Sequence, residues 1–211
     1  LGRILRHDDV FTYDNSLHSF VEKKNKNPQA DFAFVASRNV DILNKKIVNI
    51  NNPDESKIWK IKNSPLELIN GNYIGAPSAT IFRKTTNEFF DKKTIWLVDL
   101  DLYIRILKKN PTFEYKDIDA ISIGISNSQL TNKLENNKEI NLSEYFYLLE
   151  KYKIEKISKS PYEKHIINLL KKFRIHSIKQ IRNAGFTGKL PSDTKLIVFY
   201  LFLGKLKNIF K

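Results

Sequence analysis

The 211 residues contain no cysteine. Disulfides, thiolate metal sites and cysteine nucleophiles are therefore excluded, and a reducing compartment is permitted. No apolar run reaches the roughly 18 residues that a membrane span needs, and the opening LGRILRHDD lacks the order of a signal peptide. The expected location is the cytoplasm. Walker loop, G-x-S-x-G elbow, internal repeat and low-complexity linker are all missing. His7, His18, His165 and His176 provide no pair at metal-ligand spacing. Methionine is absent even at the start, where Leu1 reads as the middle of a strand, so the natural product is expected to be longer.

What is present is enough apolar content, 41%, for one good core and a small appendage. The net charge of +13 is uneven. Residues 151–211 hold 15 Lys and Arg against 3 Asp and Glu, whereas the first 150 hold 21 against 20. Two regions with different partners follow, with a boundary expected at residues 152/153.

In the near-neutral region strand-like and helix-like patterns alternate, which implies a mixed α/β domain. Asp14 is placed to cap a short helix bearing Leu17, Phe20, Val21 and Lys24, stopped by Asn27 and Pro28. "DFAFVAS" (31–37) reads as a buried strand, and 39–63 as a polar hairpin or insertion. Ser64-Pro65-Leu66-Glu67 has the form of a capping box, with Gly71 closing its helix. "SATIFRK" (78–84) and "AISIGIS" (120–126) read as strands. A helix is expected from Asp99 to about Lys109, with Leu100, Tyr103, Ile104 and Leu107 on one face and Pro111 ending it. Ser143 is placed to cap a helix reaching Tyr152.

Three acids invite chemistry. Asp8 and Asp9 follow an apolar strand, where open α/β sheets place ligands, and could hold Mg²⁺ or Mn²⁺; from spacing alone a solvated turn, with Asp9 bonding nearby backbone amides, is the preferred reading. Asp99 falls at a helix start, where orphan amides and the macrodipole favour an anion. Near Trp96 it could act as a general base, or simply as an N-cap, and spacing does not decide. Asp101 and Arg105 have the i, i+4 spacing of a helix-surface ion pair.

Taken in order, "ILRHDDVF", "YIGAPSATIFRK", "FFDKKTIWLVDLDLYIRILKK" and "ISIGISNSQLTN" resemble the second half of a family 2 glycosyltransferase of the GT-A fold, in the bacterial surface-polysaccharide branch. The match covers about residues 1–152. The resemblance implies a mixed sheet with flanking helices whose N-terminal, nucleotide-binding half is missing here, and a chain that is a poor catalyst as it stands. It implies inverting transfer of a sugar from a nucleotide-sugar donor to a saccharide or lipid-linked acceptor, with Asp99 as base. By position, Asp8 matches the metal-binding acid and Asp9 adjoins it. Gly75, Ala76, Pro77 and Ser78 match the chain beside donor and acceptor, and Trp96 and Asp101 are expected to join them in binding donor and acceptor. Arg6, Val98 and Ser126 stand where the family has an acid, a glutamate and a histidine. The rival expectation is a non-catalytic module that binds a membrane surface or a polyanion and keeps a degenerate, truncated transferase fold.

The basic region, 153–211, reads as an α-helical extension. One helix is expected from Ser160-Pro161-Tyr162-Glu163 through about Arg182, ended by Gly185, and a second apolar segment from Leu196 to Leu203. Lys171, Lys172 and Arg174, with Phe199 and Phe202, suit an anionic membrane surface, and so a peripheral position on the inner face of a bacterial membrane. Simple packing with a solvated lysine face, or nucleic-acid binding by phosphate contacts without a recognition motif, are the alternatives.

Overall fold

Six consecutive buried residues, Phe32 to Ser37, mark a strand covered on both faces. In the computed structural model, which describes residues 9–18, 21–22, 27–86, 88–125 and 130–209, this strand is the centre of a five-stranded sheet. The strands are β1 (Asp9–Phe11), β2 (Phe32–Asp41), β3 (Ile47–Asn51), β4 (Thr80–Phe82) and β5 (Phe113–Ile125). β5 runs parallel to β2 along one edge, from Phe32↔Phe113 to Asp41↔Ile125. β1 lies antiparallel beyond β5, with Asp9 opposite Ile123. The other edge of β2 is shared: β4 pairs at Phe32–Phe34 and β3 at Ser37–Val40, both antiparallel. The chain is thus α/β with a mixed sheet and flanking helices, as expected.

The crossover between the parallel strands contains α1 (Glu55–Asn63) and α2 (Val98–Lys109). α2 buries Leu100, Leu102, Tyr103, Ile104, Ile106 and Leu107, and the Tyr103 ring sits 5.4 Å from that of Phe32. The sheet's second cluster joins Ala33, Val35, Ala79, Ile81, Ala120 and Ile121.

Segment 39–63 is partly the expected hairpin, closed at Asp41 by bonds from the amides of Leu43 and Asn44, but it also contains α1. The side chain of Asp54 caps that helix by accepting from Lys57 N–H at 2.9 Å. The Ser64 motif produces a 3-10 turn, Pro65–Asn70, without a side-chain cap bond. Residues 78–79 are likewise 3-10, so β4 is shorter than "SATIFRK" suggested, while β5 starts seven residues before Ala120.

Contacts divide the chain into one unit of residues 1–91 and 98–129 and another of 92–97 and 130–211. The division thus falls ahead of residue 152. The second unit holds α3 (Leu130–Glu135), α4 (Lys138–Lys151), α5 (Glu163–Lys172), α6 (Ile178–Asn183) and α7 (Thr194–Ile209). α4 is capped by Asn137, which accepts from Ile140 N–H at 2.8 Å, and Ser143 lies mid-helix with its hydroxyl donating to Glu139 O. The single helix expected over 163–182 is two, because Arg174 adopts a left-handed φ of 53° between them. Ser177 and Gln180 form a complete capping box at α6, whereas at Ser160 the partners are shifted: Glu163 accepts from Lys159 N–H instead.

Candidate functional site

The loop that enters β4 is held by its own side chains. Asn72 Oδ1 accepts from Gly75 N–H and Asn72 Nδ2 donates to Gly75 O, both at 2.9 Å. Gly75 has φ +96°, and a Cβ there would lie 2.5 Å from Asn51 Nδ2 and 3.7 Å from Ser37 Oγ. Only glycine meets this conformation without strain. Pro77, Ser78 and Ala79 follow as a buried 3-10 turn, with Ala76 before them. Since β3 and β4 leave Val35 and Ala36 between their stretches of β2, this loop is sequence-adjacent to a break in one sheet edge.

The loop is tied to α2. Tyr103 Oη donates to Gly75 O at 3.2 Å. Asp99 precedes Tyr103 by four residues in the same helix, so the two share a helix face one turn apart. Asp99 is half-buried in the first turn. The tyrosine therefore ties the Gly75 loop to α2, the helix that also carries Asp99 one turn earlier.

Asp101 is a different kind of acid. Its side chain has no accessible surface, and Oδ2 accepts from Arg105 Nε at 2.9 Å. Arg105 also pairs with Glu88 and donates to Phe89 O, and Glu88 pairs with Lys109. Burial opposes the Glu88 charge, but Lys109 and Arg105 outweigh it and hold its carboxyl below the usual value. The i, i+4 pair read from the sequence is present, but at the core of a four-residue network rather than on a helix surface.

Trp96 belongs to the second unit's segment 92–97 and is half-buried. What holds that segment is Glu144 on α4: its carboxylate accepts from the amides of Ile95 (2.7 Å), Trp96 (3.0 Å) and Leu97 (2.8 Å). Burial pushes the Glu144 carboxyl up, and the three amide bonds pull it partway back. Sequence reasoning passed over this residue; the available signal was one acid among the buried positions Leu142, Tyr145, Phe146, Leu148 and Leu149.

Asp9 is 7% exposed and is the first residue of β1, which removes the solvated-turn reading for it. Asp8, Arg6 and Ser126 lie outside the described residues. Among the described residues no three His, Asp or Glu side chains gather where a metal could sit. The donor set seen is thus one buried carboxylate, which does not by itself make a cation site. Of the tail residues, Lys171 and Arg174 are exposed, Lys172 donates to Glu135 O, and Phe199 and Phe202 are 52% and 40% exposed on α7. No protein-family model matches the chain, and no curated protein matches it at significance.

Proposed function

We propose that the first unit is the acceptor-side part of a GT-A glycosyltransferase and transfers a sugar with inversion from a nucleotide-sugar donor to a saccharide or lipid-linked acceptor. The observation that carries this reading is the Tyr103 to Gly75 bond. It ties the loop that the resemblance assigns to donor and acceptor to the same helix that bears Asp99, the residue it assigns as base.

In this reading Asp99 accepts the proton of the acceptor hydroxyl as that oxygen attacks the anomeric carbon, and the nucleoside diphosphate leaves from the opposite side. The Gly75 carbonyl is fixed by both Asn72 and Tyr103, so the loop is pre-set rather than ordered on binding, and positioning is where such a site lowers its barrier. Asp101 contributes by holding Arg105, and through it residues 88–89, against α2. No step here runs through a cation.

A second reading, a non-catalytic module on a degenerate transferase fold, is favoured by Val98 standing where the family has a glutamate. The test is a transfer assay on the product of the complete gene, with a panel of nucleotide-sugar donors and membrane-lipid or oligosaccharide acceptors. Release of nucleoside diphosphate that depends on acceptor supports the transferase. Absence of transfer across the panel, together with absence of binding to any donor, favours the module.

A further inference from the structure

We infer that the outward face of α7 is a docking surface for an anionic lipid bilayer. α7 is apolar on two sides. Thr194, Ile197 and Val198 are buried, as a helix packed within its unit requires. Leu196, Phe199 and Tyr200 are 54%, 52% and 62% exposed, and half-buried Leu203 completes an i, i+3, i+4, i+7 stripe on the opposite side. Among the described side chains after residue 130, every large apolar one that is exposed lies on α7. The exposure is therefore a property of this helix and not of a loosely packed unit.

Charge selects the occupant. Residues 151–211 carry 15 basic side chains against 3 acidic. Lys195 is exposed beside Leu196, and exposed Arg174 lies two residues from His176, whose ring packs 6.4 Å from that of Phe202. A two-fold contact through this face would bring like charges together, and a four-residue stripe falls well short of the roughly 20–30 residues a side in a standard interface. An anionic bilayer meets both features, since it attracts each basic residue near its surface and the apolar stripe enters the headgroup boundary. No helix among the described residues is long and apolar enough to cross a membrane, so α7 would lie in the interface plane. Phe199 and Tyr200, with rings 6.2 Å apart, supply the aromatic surface suited to that depth.

This inference stands apart from the sugar-transfer reading, and its test measures no transfer. The full chain is sedimented with vesicles of phosphatidylcholine alone and with vesicles containing phosphatidylglycerol, at about 0.1 M and about 0.5 M salt. The double variant Leu196→Ser/Phe199→Ser is compared by the same assay, after circular dichroism confirms its helix content. Both positions are exposed, so the fold should survive. The expected result is binding to the anionic vesicles that weakens in high salt and drops about tenfold or more in the variant. Three outcomes overturn the inference: no binding, binding unchanged in the variant, or a dimer in ultracentrifugation that the variant dissociates. A Leu196→Ile/Phe199→Tyr variant should bind nearly as the parent does, and its loss of binding would also overturn it.

Discussion

Gly75 concentrates the constraints on the candidate site. Its φ of +96° and the 2.5 Å approach of Asn51 Nδ2 to a hypothetical Cβ leave alanine little room. Gly75→Ala should cost about 1–2 kcal/mol, read as a lower urea midpoint with an unchanged slope; an unaltered midpoint would mean the loop relaxes freely. Glu144 is the other residue with a measurable signature. Because burial raises its folded pKa, the folded chain binds this proton more tightly than the unfolded chain. Its contribution is therefore greatest below the ordinary glutamate value and declines as pH rises through the raised one. Glu144→Gln should remove that slope just above the usual carboxylate range. A pH profile identical to the parent's would contradict this. The sequence showed the Asp101–Arg105 pair through its spacing; it could not show Glu88 closing the network, because that contact depends on how 88–89 folds back on α2.

At the scale of elements, β2 and α2 were legible because their apolar runs and terminators are local, whereas β1 (Asp9–Phe11) was not read as a strand and β4 and β5 were read with other bounds. β2 appeared as an unbroken apolar run, and α2 ended at Pro111 as read. In the second unit the break after α5 was not legible, although α4 ends at Tyr152 as read, and the reason is specific. α4 and α5 both end in a Schellman turn: Ile154 N–H donates to Leu149 O and Ile175 N–H to Leu170 O, each at 2.9 Å. The left-handed residues in these turns are Lys153, φ 57°, and Arg174, φ 53°, where glycine would have announced the stop. α6 ends with Gly185, φ 98°, and that stop was read from sequence. Lys153→Gly and Arg174→Gly should therefore each raise stability, by a few tenths to about 1 kcal/mol, with additive shifts in Tm. A loss in either variant would show that the long side chain contributes more than the backbone strain costs. Asn137 outcompeted Ser143 as the α4 cap, since the helix begins earlier than the apolar pattern suggested.

For the whole molecule, the division into an α/β unit and a basic helical unit was visible as a change in charge, but its position was not. Charge shifts near residue 150, whereas contacts divide the chain at 129/130, and residues 92–97 join the second unit through Glu144. Backbone amides captured by a distant carboxylate leave no periodic trace in sequence. The candidate site rests on an ordered set of motifs in the sequence. What the motifs lacked was the tie between them, the Tyr103 hydroxyl on the Gly75 carbonyl. The most direct test of the proposed function is Asp99→Asn in the complete gene product, with donor affinity and sugar transfer measured on the same preparation. The expected result is transfer reduced by about 10²-fold or more while the donor dissociation constant changes less than about threefold, because the lost group acts on the acceptor's proton. Transfer at the parent's rate would contradict the assignment of Asp99 as the base.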